Sequence, residues 1–390
     1  MQLDLIILLL SFILAVAAWI GHEVMLARSL VKIAAHVEQT KSQAMGLSDS
    51  ESNPRTSVLV CVRDGQDCIG NLLEALKHQE FNGDWEVVVI DDDSSDETWR
   101  MLEDFQQNEN APFDLKIFQL RNTRPGKKEA LQSAIDHAKG RTLVLTDADC
   151  LPSDFSWLER MVVPLEAGKD LVLGVSLPRL GRAKGVLGAL QVWDALRIVR
   201  SYVGWLGKGH PYMGVGRNLA LKAKIHPGFE SHHDLASGDD DLAIQQLLSS
   251  GSCATVALLD RASQMDSELP KTARGWVRQK QRHWTTASRY TAGDRIRLIL
   301  PQLLTVLCLV SGCLALVAGF RCGVLHIALW IVVAGMGSAW LVAVLTFRSI
   351  AKACQTPDQW LHFGWIQPIG ACWVWMMAIT MVFVPSKQKW

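Results

Sequence analysis

Four groups of side chains in this 390-residue chain have the types and spacing to do chemistry. Asp91-Asp92-Asp93-Ser94-Ser95-Asp96 crowds carboxylates into one short stretch, Asp147-Ala148-Asp149 sets two of them two residues apart, and Gly238-Asp239-Asp240-Asp241 sets three in a row. The fourth group, Gln279-x-x-Arg282-His283-Trp284, is polar, cationic and aromatic, and suits a diphosphate and a sugar ring. Turns and helix caps account for part of the acidic content, because Asp and Ser are favoured there. A cap needs one side-chain oxygen, however, and adjacent carboxylates repel one another unless a ligand or cation joins them. In extended backbone, residues i and i+2 point to one face. Asp147 and Asp149 therefore present two carboxylates together, the donor type that a hard cation such as Mg2+ prefers. In Asp239–Asp241, one carboxylate caps the following helix, and the surplus leaves one of the three as a candidate general base.

Two further segments are weaker. Arg121–Lys128 (RNTRPGKK) is basic and can meet an anionic group, with a solvated loop as the other reading. It is not a Walker A loop, because no Gly stands five residues before Gly126. Gly214-Val-Gly-Arg-Asn218 shares only two glycines with a dinucleotide fingerprint and follows no apolar strand, so it is set aside.

The elements that must position these groups alternate. Short apolar strands are predicted at 57–62, 86–90, 115–120 and 142–146, separated by helices at 69–78, 97–108 and 127–138. Strands alternating with helices in this way predict βαβ units and a mostly parallel, Rossmann-like α/β sheet covered on both faces. Ligands bind outside the C-terminal ends of such strands, and the second and fourth strands run straight into the acidic groups.

Outside this domain the chain is apolar. Leu5–Gly21 contains no charged residue and is followed by Arg28 and Lys32. This predicts an uncleaved transmembrane anchor with the following domain in the cytoplasm. Three more runs, 298–320, 322–347 and about 360–384, close the chain. The first two must form a tight hairpin at Arg321. The last is interrupted by Gly364, Pro368 and Gly370, and either spans or begins as an interfacial segment. The division is then an anchor at 1–24, a linker at 25–55, a catalytic domain at 56–265, a basic interfacial segment at 266–297 and transmembrane helices at 298–386. With 39 Lys+Arg against 39 Asp+Glu, no basic excess marks a nucleic-acid partner. An apolar content of 49% excludes disorder. Nine scattered cysteines without a Cys-x-x-Cys pair indicate reduced thiols and no zinc site.

Taken in order, these residues resemble a membrane-bound family 2 glycosyltransferase with a GT-A fold. Asp91-Asp92-x-Ser94-x-Asp96 is similar to the family's DD-x-S-x-D, and Gly126-Lys127-x-x-Ala130-Leu131 to its GK-x-x-AL. Asp147-Ala-Asp149 matches its D-x-D, Gly238-Asp239-x-Asp241-Leu242 stands at its ED-x-DL, and Gln279-x-x-Arg282 opens its Q-x-x-RW. Two departures stand out. Gly238 replaces the usual Glu, and His283 displaces the aromatic to Trp284.

The resemblance implies inverting, metal-dependent transfer of a hexose from a nucleotide-sugar, a UDP-sugar first, to a membrane-associated, lipid or glycan acceptor. The reaction would serve cell-envelope synthesis at the cytoplasmic face of a bacterial inner membrane. Asp91 or Asp92 would bind the nucleobase with Lys127, Asp147 would approach the ribose and share the metal site, and Asp149 would ligate Mg2+ or Mn2+. Asp239 would be the base, with Asp240 or Asp241 as alternatives. Arg282, Gln279 and Trp284 would meet diphosphate and acceptor. Apart from the resemblance, Asn218, Trp193 and Trp205 are further candidate acceptor contacts, with core packing the stronger reading for each tryptophan. A processive synthase is the alternative within the family. A nucleotidyltransferase has no need of the downstream groups, and a non-catalytic scaffold or transporter subunit fits poorly with apolar runs that lack interior charge.

Overall fold

The computed structural model describes residues 2–44, 55–108, 110–121, 123, 127–179, 185–228, 241–249, 253–356 and 363–383. Helix α1 (Gln2–Ala44) leads into β1 (Thr56–Val62), α2 (Ile69–Lys77), β2 (Trp85–Asp92), α3 (Thr98–Asn108), β3 (Asp114–Leu120), α4 (Lys128–His137) and β4 (Thr142–Asp147). The four strands are parallel, as the alternation predicts. Then follow β5 (Cys150–Pro152), α5 (Trp157–Glu166), β6 (Leu171–Leu173), β7 (Ser176–Pro178), α6 (Gly185–Leu206), β8 (Leu219–Lys222), α7 (Asp241–Ser249), β9 (Thr255–Ala257) and β10 (Met265–Ser267). The main sheet has the order β3-β2-β1-β4-β8-β6-β9, and β5-β10-β7 form a second. Only β8 runs antiparallel to its neighbours in the main sheet, which makes that sheet mixed.

Why β1 and β2 form the centre is visible in their composition. Both are β-branched runs in which every residue is buried, the pattern of a strand covered on two faces. The pleat divides them. Val58, Val60, Val87, Val89 and Val144 join a core under α2 and α5. Leu59, Val88, Ile90, Leu143 and Leu145 join a second core that continues through Leu196 and Val199 of α6. That second core reaches Leu30 of α1 and, beyond α8 (Ala273–Trp284) and α9 (Ala292–Arg321), Phe347 of α10 (Leu325–Ala353) and Val374 of α11 (Phe363–Phe383). Sheet and membrane helices thus share one contiguous apolar core.

Three stretches, 2–35, 292–321 and 325–353, are long and apolar enough to cross a membrane. Their outward faces expose Ile6, Leu10, Leu14, Leu307, Leu314, Trp330 and Leu341, a collar that water would not tolerate on a soluble protein. The predicted hairpin is present at Cys322–Val324, where Gly323 takes a φ of +72°. The anchor is longer than expected. Residues 25–44, assigned above to a linker, continue the helix, because Leu26 and Leu30 dock on α6 and no Gly or Pro interrupts them. The expected boundary at 265/266 falls inside β10, and Trp276 of α8 belongs to the shared core. The basic segment is therefore integrated with the sheet domain.

Within the membrane bundle, Phe12 of α1 is fully buried between Gly312 of α9 and Gly335 of α10. A Cβ on Gly335 would come within 2.6 Å of the Phe12 ring. Gly335→Ala is expected to lower stability by about 1–3 kcal/mol, the usual range for overpacking, read as a lower Tm in detergent. At the opposite pole, Glu86 is buried and accepts from Ser57 Oγ (2.6 Å), Lys116 Nζ and the Lys139 N–H (2.5 Å). Burial raises its pKa, but the bonds from Lys116, Ser57 and Lys139 outweigh that and hold it below the usual value of 4.5. A depressed folded pKa gives stability that is complete above that value and lost as pH falls through the folded one. Glu86→Gln is expected to lower Tm at pH 7 and to flatten the fall in Tm between pH 5 and 3, the window set by that direction.

Candidate active site at the C-terminal ends of the strands

The chain leaves β1 toward β2 on one side and returns with β4 on the other, so a topological switch point lies between β1 and β4, where such sheets bind ligands. Register places Asp91 beside Val62 and Asp147 beside Cys61. The two acidic strand ends predicted from sequence are thus brought to one rim.

The first acidic group divides its tasks. Asp91 is fully buried and bonded on both oxygens, accepting from Ser94 N–H at 3.1 Å and from Gln119 Nε2 at 2.7 Å. Asp96 accepts from the N–H groups of Gln66 (3.1 Å) and Thr98 (3.0 Å). Those two bonds fasten the α2 loop and open α3, the turn-and-cap role that Asp and Ser commonly take. Asp92 is equally buried, and among the described residues its oxygens have no close hydrogen-bond partner; Thr123 and, at 4.0 Å, Arg63 are the groups that favour its charge. Burial pushes its carboxyl up.

The second group lies at the end of β4. Asp147 is gripped by Lys127 Nζ, which belongs to the basic loop before α4. One ligand atom each from Asp147, Asp149 and Cys150 fall within 4.8 Å of one another. Burial works against the charge on Asp147, but Lys127, Arg217 and Arg282 overcome it and hold the pKa down. Asp149 is raised, first by burial and then by the Asp147 charge. Its side chain is nonetheless open to the cavity. Two carboxylates in repulsive contact, one of them accessible, fit a divalent cation, which removes the repulsion and accepts oxygen donors. Cys150 is buried, and burial and the flanking carboxylates push its thiol well up. It therefore stands as a neutral thiol behind the carboxylates.

Arg217 was passed over in the sequence. It lies in the stretch 214–218 compared above with a dinucleotide loop, and only the tertiary fold brings that loop to β4. The first glycine in that stretch has a packing reason: a Cβ on Gly214 would approach Ile244 and Leu173 at 2.7 and 2.8 Å. Asn218, a candidate acceptor contact, is instead a core strut. It donates to Val175 O and Ser263 O at 2.8 Å each and accepts from Trp157 Nε1 at 3.0 Å. Trp193 is buried and donates to Gln367 Oε1 at 2.7 Å. Trp205 is half-buried beside His22 and His210.

Helix α8 carries the Gln-x-x-Arg group, and Gln279, Lys280, Arg282 and His283 all line one cavity. Lys280 is ion-paired with Asp194 of α6. Despite burial, Lys280 and Arg197 hold the Asp194 carboxyl down at about 2. The side chain of Trp284, and residues Gly238, Asp239 and Asp240, lie outside the described residues. Asp241 is described. It is buried, and one of its oxygens accepts from Thr286 Oγ1 (2.7 Å) and Tyr290 OH (2.5 Å) in the link between α8 and α9, the other from Leu242 N–H (2.9 Å).

The cavity measures about 700 Å3. Its wall includes Arg63, Lys127, Asp147, Asp149 and Arg217 about the strand ends, Asp241, Gln279 and Arg282, and Leu26, Leu298, Pro301 and Trp375 of α1, α9 and α11.

Comparison with known proteins agrees with this geometry. Residues 57–184 match the model of Glycosyl transferase family 2. Over 118 residues the chain is 27% identical to the undecaprenyl-phosphate 4-deoxy-4-formamido-L-arabinose transferase of Pseudomonas fluorescens, which covers 30% of this chain and 34% of that protein. Over 252 residues it is 24% identical to the "Probable glycosyltransferase YdaM" of Bacillus subtilis, covering 61% and 56%. The chain thus spans about a third to just over half the length of these curated relatives. The mannosyltransferase PcManGT of Pyrobaculum calidifontis, solved with GDP-Man and Mn2+, superposes with a TM-score of 0.51 at 20% identity, covering 88% of this chain and 99% of that one. Strand order, the acidic rim and the matched segment together give residues 57–184 a GT-A-like α/β fold of the family 2 glycosyltransferase type, in a chain that also carries helices long enough to span a membrane.

Proposed function

We propose that the protein is an inverting, metal-dependent hexosyltransferase. It moves a sugar from a nucleotide-sugar, a UDP-sugar first, to a membrane-associated or lipid-linked acceptor at the cytoplasmic face. The observation that carries this reading is the single cavity with Asp147 and Asp149 at one end and membrane-helix side chains at the other. A donor held at the strand ends and an acceptor standing in the bilayer can meet in it. The Pseudomonas relative, whose name gives undecaprenyl phosphate, supports an acceptor of that kind.

The roles follow from what each side chain has left to offer. Asp92, with no close hydrogen-bond partner among the described residues, is better placed than Asp91 to accept from a nucleobase N–H. Lys127 holds Asp147 toward the ribose. Asp149 and Asp147 would hold Mg2+ or Mn2+, and the ion would neutralise charge gathering on the departing diphosphate. Arg217 and Arg282, whose charges join that of Lys127 in holding the Asp147 carboxyl ionised, would steady the diphosphate, with Gln279 beside the acceptor. Asp239 is assigned the base that takes the acceptor hydroxyl proton, with Asp240 as the alternative. Asp241 already accepts three hydrogen bonds, which favours a positioning role for it. A single base suffices for inverting transfer, whereas hydrolysis generally needs two carboxyl groups.

Calorimetry on the detergent-solubilised full chain tests the donor site, comparing UDP, GDP and ADP with and without Mn2+. UDP is expected to bind only with metal, and Asp149→Ala to weaken it at least about tenfold, the loss of one strong charge-assisted contact. A folded wild type that binds no nucleotide with metal present would remove the enzyme reading and leave the scaffold. Release of pyrophosphate from a nucleoside triphosphate and a sugar phosphate would mark a nucleotidyltransferase instead.

Arg217→Ala separates the diphosphate role from a structural one. It is expected to weaken UDP about tenfold while leaving uridine affinity and Tm as in wild type. Equal losses for UDP and uridine would assign Arg217 to the fold.

A further inference from the structure

Exposed cations from four separate elements fall at one height beside the membrane helices. Phe12 of α1 packs over Gly312 of α9 and Gly335 of α10, where an added Cβ would come within 3.2 and 2.6 Å of its ring. These three residues therefore mark a common depth in the bundle. From that depth, Arg28 lies sixteen residues along α1, Arg295 seventeen along α9 and Lys352 seventeen along α10. At about 1.5 Å of rise per residue, each stands roughly 24–26 Å away. They stand at the same end, because Leu26 and Leu298 line one cavity and Leu30 and Ile350 belong to one core.

The loop after α6 is the fourth element. Gly207 lies against α1, where an added Cβ would come within 2.9 Å of the Ser29 carbonyl oxygen. That close approach sets Lys208, the next residue, at the height of Ser29. Lys32 follows one turn further along α1. Arg28, Lys32, Lys208, Arg295 and Lys352 are all exposed. The acids of the same helix ends turn inward instead. Glu23 is 1% exposed and paired with Arg200, and Asp294 is 7% exposed and paired with Arg297.

The opposite end of the bundle is different. Arg321 and Asp4 are exposed there, nine and eight residues from the Phe12 depth, with one charge of each sign. From Arg295 to Arg321 the helix rises about 39 Å, close to the ~40–45 Å of a bilayer with its headgroups. Between those heights the exposed wall is apolar, at Leu14, Leu307, Leu314 and Leu341. The five cations thus stand in the headgroup layer on the side of the sheet domain. Lys and Arg at that height favour anionic lipid by about fivefold each.

We propose that Arg28, Lys32, Lys208, Arg295 and Lys352 form a binding surface for anionic phospholipid headgroups. It differs from the basic segment read in the sequence, because it draws on α1, the loop after α6 and α10 as well as on Arg295. It is also independent of the donor chemistry, since none of the five lines the cavity.

The full chain is reconstituted in mixed vesicles of phosphatidylglycerol and phosphatidylcholine, one of them carrying brominated chains. Quenching of tryptophan fluorescence then gives the relative binding constant of the two lipids. Wild type is expected to favour phosphatidylglycerol at least about twofold overall, the fivefold effect at each cation being averaged with uncharged positions. The preference is expected to vanish in about 1 M NaCl, where the Debye length is ~3 Å. A variant combining Arg28→Gln, Lys208→Gln, Arg295→Gln and Lys352→Gln is expected to bind both lipids equally, with wild-type Tm and UDP affinity. Arg321→Gln, at the other end, is expected to keep the preference. Should the combined variant unfold, the pair Arg28→Gln with Lys208→Gln carries the test, with part of the preference lost. Equal affinity for the two lipids in wild type would overturn the inference, as would a preference that folded variants leave intact or that Arg321→Gln removes. Glycerol phosphate cancelling the preference at matched ionic strength would assign the cations to a soluble phosphate and overturn the lipid part.

Discussion

The arrangement of the active end depends on one electrostatic constraint: two carboxylates, Asp147 and Asp149, crowded at the end of a buried strand. At a separation of 4.8 Å or less, two unit charges repel by roughly 3 kcal/mol or more at an effective dielectric of ~20. Such a pair persists only where cations converge on it. Lys127 arrives from the loop before α4, Arg217 from the loop before β8 and Arg282 from α8. Three segments far apart in sequence are thereby drawn to one point, and their convergence creates the cavity wall. The same cations are what a diphosphate needs, so the groups that stabilise the carboxylate pair are those that would receive the ligand.

A second constraint fixes where that site lies relative to the membrane. One face of the sheet packs under α6, and α6 packs in turn on α1 and α11, within one apolar core. Helix α8 is fastened to α11 by Trp276 stacked on Trp373, with ring centroids 4.2 Å apart and planes 3° from parallel. The arginine whose charge reaches Asp147 and a helix that lines the cavity are therefore tied together. A shift of α11 would be felt at Arg282, because packed cores transmit strain readily.

How much of this was legible in the sequence follows from which interactions are local. The strands of the parallel half were readable to within two residues because burial on both faces forces continuous runs such as Ser57–Val62. Asp147 and Asp149 were readable because a strand's two-residue period aligns them whatever surrounds them. Arg217 was not, since its partner lies across the sheet and its loop carries no periodic signal. Asn218 misled for the same reason: a polar residue near a candidate site reads as a contact, whereas its three bonds lie in the core. The linker expected at 25–55 misled differently. Polarity after Gly21 suggested an end to the helix, but Leu26 and Leu30 find their apolar partners on α6, and tertiary packing overrides the local signal. Most charges of 271–297 read as a lipid-facing surface, yet Lys280 turns inward to Asp194, whereas Arg282, read from the start as a ligand contact, lines the cavity.

The acidic clusters also explain why each holds more carboxylates than a turn requires. In the first, Asp91 and Asp96 are consumed by backbone and side-chain bonds that shape the rim, which holds Asp92 buried with no close hydrogen-bond partner among the described residues. At β4, Asp147 is bound by Lys127 while Asp149 faces the cavity. In the third, Asp241 is locked by Leu242, Thr286 and Tyr290, and the last two sit just before the membrane helix α9. A carboxylate already holding three hydrogen bonds is a poor proton acceptor but a firm anchor for its neighbours in sequence. In the first two clusters one acid is thus spent on position while another keeps its oxygens available. A lone Asp at any of these places would have to choose between the two roles.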